Sequence, residues 1–450
     1  MIVMKFGGTS VADSSAIMRV VGIVKTRLEY KPVVVVSALS QVTNILTEIS
    51  KLAEEGNISD CNVKIKNLRE RHIGICSELF GADKKRFSKA QNEISQILKS
   101  LIEVIKAISF LREISEKRRA WIIALGEQLS NILIDHALNH NGIACNKIDA
   151  REFIITDNNY LKGKADINII EEKAPPIINS SFQGYSVVLT QGFISSTKNG
   201  EPSLLGREGS DLTATLIGNA MEVDFIEIWT DVDGIRTADP RMVDKTRSIS
   251  EMSFDVAEEL SFFGAKVLHP LTIEPARMKN IPVKVLNSKD LSLNGTLILH
   301  NESVQNKGIK SVTSKENIIA LRVISNKTVS SGDFLEKLFR TLNKSEIIPD
   351  IVAISQASVE LTFEGQVEID KLVSELSVFS NVSVDNSRAQ ITIVGEDLKV
   401  TEGIMKIIFE HMENISIELI SGGASTNNIS FLVGKENLNE ILKTLHSKLF

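Results

Sequence analysis

Val33-Val34-Val35-Val36, preceded by Pro32 and followed by Ser37-Ala38, is a run of four β-branched residues. It is too short for a helix and shows no alternation, so it reads as a strand buried on both faces. Such strands belong to parallel sheets with helices packed on each side. Working outward, residues 2–6 form a second short apolar run that ends in Gly7-Gly8 and is followed by a helix-like stretch over 11–30. Further apolar runs at 144–148, 187–190, 225–229 and 283–286 are separated by helical patterns. The expected class is α/β, with a parallel-rich central sheet and helices on both faces. Ligands of such open sheets bind at the carboxyl ends of the strands.

Two stretches depart from this rhythm. Residues 58–118 are charged, periodic at helical spacing and poor in strand signals, which predicts a helical insertion. A helix over 120–140 follows, with Ile122, Leu125, Leu129, Ile132 and Leu133 on one stripe and Glu127 on the opposite face, open to solvent or to a pocket. Near residue 300 the pattern changes. A polar stretch, 301–317, reads as a linker between a catalytic domain over 1–300 and a regulatory region over 318–450. In that region strands are expected at 319–324, 350–354, 358–363, 382–384, 390–394, 415–419 and 429–433, with helices at 334–342, 367–376, 403–411 and 438–449. The order describes two successive βαββαβ units of about 65 residues, a ferredoxin-like repeat suited to sensing or assembly.

Composition narrows the class. The chain has 450 residues, 43% of them hydrophobic, and a net charge of -6, so it buries ordinary cores and has no general affinity for nucleic acid or anionic membrane. Cys61, Cys76 and Cys145 form no CxxC pair and read as free thiols of a reducing compartment. The seven histidines form no helical ligand pair, and no metal-binding box is expected. No leader pattern and no run of roughly 18 to 20 apolar residues is seen, so the expected location is the cytoplasm.

Four segments suit anions. Lys5-Phe6-Gly7-Gly8-Thr9-Ser10 joins the first strand to the first helix, where glycines admit an anion and lysine adds charge. A tight turn with a surface lysine would look the same. Gly206-Arg207-Glu208-Gly209-Ser210-Asp211 runs into a helix at 212–220 with Ser210 or Asp211 as its N-cap. Arg207 there can grip a carboxylate or merely pair with its neighbours. Thr230-Asp231-Val232-Asp233-Gly234-Ile235 closes a strand and is followed by Asp239-Pro240-Arg241, fitting either a nucleotide or a surface loop. Phe263-Gly264-Ala265-Lys266-Val267-Leu268-His269-Pro270 offers a second lysine beside glycine, with His269 at a helix boundary.

In order and spacing these segments, together with VVVSALSQVTN at 34–44, LGEQLS at 125–130, TQGFI at 190–194 and ADPR at 238–241, resemble the aspartokinases of the amino-acid kinase family. The likeness is greatest to the monofunctional, lysine-sensitive bacterial type, and the tail resembles two ACT domains. The resemblance implies transfer of the γ-phosphoryl group of ATP to the β-carboxylate of L-aspartate, giving 4-phospho-L-aspartate at the head of lysine, threonine and methionine biosynthesis. It implies catalytic roles for Lys5, Asp211 and Lys266. Substrate contacts fall on Ser37, Thr43, Glu127, Arg207 and Ser210, with Glu127 facing the α-ammonium and Arg207 the α-carboxylate. ATP contacts fall on Gly7, Gly8, Thr230, Asp231, Arg236, Arg241 and Val267. Mg2+ would be held mainly through ATP phosphates. An amino-acid effector, lysine first, would meet Ser331, Phe334, Leu335, Asp350 and Ser355. A homodimer through the ACT domains, and a tetramer beyond it, is the implied assembly.

The chain also departs from its relatives. Glu208 stands where many carry glycine, and Arg236 where an aromatic is frequent. Thr328, Asp333, Ile354 and Gln356 replace the Met, Gly, Thr and Glu usual around the effector. Two other readings are open from the sequence: a kinase for glutamate, acetylglutamate or a nucleotide, and a catalytically weak regulatory subunit. A fused homoserine dehydrogenase is not expected, because no Rossmann fingerprint follows the second ACT unit.

Overall fold

The structure is a computed structural model that describes every residue except 265–267, 327–330, 357, 366–368, 411, 413–414 and 423–424. The chain divides into two compact units, residues 1–235 with 267–303 and residues 236–266 with 304–450.

The first unit opens with β1 (Ile2–Phe6), α1 (Ser14–Lys25) and β2 (Pro32–Val36), followed by four helices, α2 (Val42–Glu54), α3 (Ile58–Phe80), α4 (Lys84–Leu111) and α5 (Glu116–His140). Short strands β3 (Cys145–Lys147) and β4 (Ile155–Thr156) lead to α6 (Ile167–Ser181), β5 (Val187–Gln191), β6 (Ile194–Thr197), β7 (Pro202–Leu204), α7 (Gly209–Met221) and β8 (Phe225–Thr230). The chain then supplies β9 (Glu251–Ser253) and α8 (Phe254–Phe262) to the second unit. It returns with α9 (Pro270–Met278), β10 (Val283–Asn287) and β11 (Thr296–Leu299).

Within the first unit the main sheet runs β3-β5-β2-β1-β8-β10-β11, parallel throughout until β11 turns back against β10. Every residue of β1, β2 and β5 is buried, as the valine run predicts. The register aligns the strand ends: Phe6 pairs with Val36 on one side and Trp229 on the other, Val36 with Gln191, and Leu286 with Trp229. Five loops therefore leave the sheet at one level.

The expected helix over 11–30 is in fact broken. A single 3-10 turn, Gly8–Val11, precedes α1, whose start is fixed where Asp13 accepts a hydrogen bond from Ala16 N at 2.8 Å. The insertion is the pair α3 and α4, which pack on each other and on α2 and α5. The apolar stripe foreseen on α5 understates its burial. Residues on almost all of its faces are enclosed, Glu127 among them, so this is a central helix and not an amphipathic cover.

The second unit corrects the linear reading of the tail. Its elements are β9, α8, β12 (Gly308–Ser325), α10 (Ser331–Lys344), β13 (Ile351–Ile354), β14 (Ser358–Glu364), α11 (Ile369–Leu376), β15 (Ser380–Glu396), α12 (Ile404–Glu410), β16 (Ile417–Gly422), β17 (Asn428–Gly434) and α13 (Leu438–Leu449). One six-stranded sheet, β13-β14-β12-β15-β17-β16, contains both ferredoxin-like units. From 308 onward the polar segment expected as a linker is strand: Gly308 pairs with Glu396 and Thr313 with Thr392, whereas Leu321 pairs with Val384. The first half of β12 thus supplies the fourth strand of the C-terminal unit, and the second half is the first strand of the other. One βαββαβ unit is inserted inside its twin. Two cores result, one around Phe334, Leu338, Leu361 and Leu372, the other around Ile391, Ile408, Phe431 and Leu442.

Candidate active site

A cavity of about 750 Å³ lies at the carboxyl ends of the strands of the first unit. Its lining includes Lys5, Gly7, Gly8, Ser37, Thr43, Glu127, Arg207, Ser210 and Asp211. Nine of the positions singled out in the sequence, drawn from β1, β2, α2, α5 and α7, therefore meet in one space.

Lys5 stands one residue before the end of β1, a strand buried throughout. Its Nζ lies 2.6 Å from Asp211 Oδ1, and each side chain is only 10% exposed. A cation so enclosed is held ready for an anion and compensated until one arrives. Gly8 is required by the approach of the neighbouring turn, because a Cβ there would stand 2.9 Å from Ala38 O. Ser40 N also donates to Gly8 O at 3.0 Å, which locks the two loops together.

Two helices start at the cavity without a side-chain cap. The residue before α2 is Gln41, at φ 71°, and the residue before α7 is Glu208, at φ 54° and ψ 26°; neither side chain caps a backbone N–H of the helix it precedes, and Gln41 Oε1 instead accepts from the Asn44 side chain at 3.0 Å. Ser210 and Asp211, expected to cap α7, lie inside its first turn instead. Helix N-termini of this kind present N–H groups and a positive dipole end to an anion. Thr43 and Ser210 stand in those first turns. The left-handed conformation at Glu208 gives the physical reason why glycine suits this position. The Glu208 carboxylate stands 3.8 Å from Arg207 Nε, and Arg207 is 75% exposed.

Glu127 is the least expected member. It is 2% exposed, and its Oε1 accepts a hydrogen bond from Ala38 N at 3.2 Å. Its Oε2 is buried with no hydrogen-bond partner. Burial pushes its carboxyl up to about 8, only partly opposed by the backbone donors. A buried carboxyl oxygen without a partner among the described residues is suited to a cation brought by a ligand.

The comparisons with known proteins agree with this geometry. Residues 1–287 match the model of the amino acid kinase family, and residues 391–449 match an ACT domain. The chain is 32% identical to lysine-sensitive aspartokinase 3 of Escherichia coli, covering 100% of this chain and 99% of that protein. It is also 32% identical to chloroplastic aspartokinase 1 of Arabidopsis thaliana, covering 100% of this chain and 80% of that one. This chain belongs to the amino acid kinase family, among its aspartokinases. The crystal structure of E. coli aspartokinase III with aspartate and ADP superposes on this aspartokinase with a TM-score of 0.82 at 32% identity, over 100% of both chains. The structure of that protein with lysine and aspartate gives 0.83 at 31% identity, over 100% of this chain and 99% of that one.

The remaining expected positions are scattered. Thr230 ends β8, where its carbonyl accepts from Ser288 N at 2.8 Å and its hydroxyl donates to Asp231 Oδ1 at 3.3 Å. Ser10 and Ser288 share a hydrogen bond of 2.8 Å beside them, and Asn287 Nδ2 donates to Asp233 Oδ1. Ser288 escaped the sequence reading, although its place at the end of a buried strand was a usable signal. Phe193, at φ 67° and lining the cavity, gave no such signal. Arg236 and Arg241 belong to the second unit. There Arg236 donates to Thr246 Oγ1 and Thr246 O, both at 2.7 Å, and Arg241 forks onto Asp239. Lys266 and Val267 lie outside the described residues, as does Thr328.

Of the effector positions in this aspartokinase, Ser331 opens α10 and Leu335 is partly buried on it. Phe334 is 3% exposed and packs edge-on against Phe379, so its ring is core. Ser355 bonds to Ser358, and Asp350 is paired with Lys315. No helix among the described residues is long and apolar enough to cross a membrane.

Proposed function

We propose a residue-by-residue reading of how this aspartokinase moves the γ-phosphoryl group of ATP to the β-carboxylate of L-aspartate. The observation that carries it is the unpaired, buried Oε2 of Glu127 in the same cavity as the Lys5–Asp211 pair. Glu127 receives the α-ammonium of aspartate, and in doing so becomes ionised. Arg207 takes the α-carboxylate once it leaves Glu208. Thr43, in the uncapped first turn of α2, and Ser37 hold the β-carboxylate, which is already ionised at neutral pH and needs no general base. Ser210 adds a donor at the start of α7.

Lys5, with Gly7 and Gly8, receives the β- and γ-phosphates, and Asp211 keeps the lysine aimed. Phosphoryl transfer calls for charge stabilisation and alignment more than for proton transfer, and this set supplies both. Thr230 and Asp231 face the nucleoside, and Arg236, Arg241, Lys266 and Val267 complete the proposed ATP contacts. Mg2+ would be held mainly through ATP phosphates and water. That mode asks little of the protein itself. When bound, it neutralises phosphate charge. In the second unit, Ser331, Phe334, Leu335, Asp350 and Ser355 form the proposed site for a free amino-acid effector, with lysine the first to try. A homodimer built through the ACT units is part of the same reading.

The test is hydroxamate capture of the acyl phosphate with Mg-ATP and a panel of carboxylate acceptors. Aspartate is expected to be preferred, and Arg207→Ala to raise its KM with little change in kcat. Preference for glutamate, or an inactive wild-type chain, would overturn the reading.

A further inference from the structure

Lys315 lies on β12, opposite Gln390 and next to the irregularity where that strand passes from one ferredoxin-like unit into the other. Its side chain is 4% exposed. Its Nζ is 3.3 Å from Asp350 Oδ1 and 2.9 Å from Glu364 Oε2, and 4.9 Å from the ring centre of Phe262. Phe263 stands behind at 5.9 Å. The ammonium is therefore enclosed by two carboxylates and an aromatic shelf, a strong site for a cation.

The cluster is not closed. Asp350 Oδ2 has no hydrogen-bond partner by distance and angle among the described residues, and burial raises the Asp350 carboxyl above its usual range even with Lys315 and the Glu364 backbone opposing it. Two carboxylates face one ammonium, so one negative charge is left over. Oδ2 of Asp350 is therefore left for a further cation, beside the ammonium that Lys315 already places on Oδ1.

We propose that Lys315 determines which amino acid the effector site accepts. Its ammonium competes with the side chain of a diamino acid for Asp350, and the free Oδ2 is left for the single α-ammonium of an amino acid with an uncharged side chain. The inference rests on the effector reading of Asp350 given above. Lys315 is not among the residues that line the catalytic cavity, so variants at Lys315 are expected to keep the basal rate.

The experiment uses the full chain as wild type, Lys315→Met, which keeps the aliphatic stem, and Lys315→Arg, which keeps the charge. Inhibition of aspartate phosphorylation and the shift in melting temperature are measured against lysine, threonine and methionine. Lys315→Met is expected to lower the lysine concentration for half-inhibition by about tenfold or more, equivalent to about 1.4 kcal/mol of relieved competition. Lys315→Arg is expected to behave as wild type. An unchanged or weaker lysine response in a folded, active Lys315→Met protein would overturn the role of Lys315. Adding Asp350→Asn to Lys315→Met separates the two layers. Loss of the lysine response there supports the proposal, whereas its persistence places lysine elsewhere and overturns the effector reading. No response of any variant to any of the three amino acids overturns that reading too.

Discussion

Replacing Glu127 with glutamine should make the free protein more stable and the enzyme worse. The glutamine carbonyl can still accept from Ala38 N, so the main contact survives. What disappears is an ionisable group whose carboxyl burial has moved up to about 8. A group with a raised native pKa favours folding fully below the ordinary carboxylate range, and that contribution is lost as pH climbs to the native value. Between pH 6 and 8 the wild type should therefore lose about 1.4 kcal/mol per pH unit relative to Glu127→Gln, or about 3 kcal/mol in all. For a unit of this size that corresponds to about 5 to 10 °C in melting temperature. Thermal scans of both proteins from pH 5.5 to 8.5, with and without saturating aspartate, read this directly. Aspartate should restore much of the wild-type loss, because its ammonium ionises Glu127 in place, and should do little for the variant. Likewise the wild-type affinity for aspartate should rise with pH and level off near 8, and that of Glu127→Gln should be weak and flat. Parallel melting curves for the two free proteins would show that Glu127 is already ionised and refute the argument.

Two further outcomes follow from the same cavity. Lys5→Met should lower kcat by about 10³-fold and destabilise the unit by about 3 to 5 kcal/mol, since Asp211 is left buried without its cation. Adding Asp211→Asn should recover most of the melting temperature and none of the rate, which denaturation curves and initial rates will separate. Glu208→Gly should relieve about 1 kcal/mol of left-handed backbone strain and free Arg207, raising the melting temperature and lowering KM for aspartate. An unchanged KM would show that the 3.8 Å pairing leaves Arg207 available.

Much of this was legible in the sequence, for a physical reason. Strands buried on both faces leave a mark that needs no context, and the valines at 33–36 showed the parallel sheet directly. Among the residues singled out, Lys5, Gly7, Gly8, Ser37, Arg207 and Ser210 line one cavity at its carboxyl edge. What could not be read depends on distant partners. Glu127 was visible as a polar residue opposite a stripe, but its enclosure depends on Ala38 and on a helix buried all round. The glutamate at 208 does not itself signal a positive φ, and only the glycine that many relatives carry there pointed to one. The strands β4, β6 and β7 are too short and too rich in serine and threonine to register as apolar runs. Residues 308–317 looked like a linker because their partners lie far along the chain.

That last pairing has a consequence for synthesis. Gly308 leaves the ribosome well before Glu396, the residue against which it is laid. The inserted ferredoxin-like unit can close as soon as the first half of β15 is made, whereas the outer one holds an unpaired strand until β15 is complete and β17 has followed. Contacts of such long sequence separation form late and slowly. During that interval the first half of β12 is an open strand edge in a growing chain. A regulatory fragment cut at 318 would lack the same strand permanently, so a fragment that folds must begin before 308.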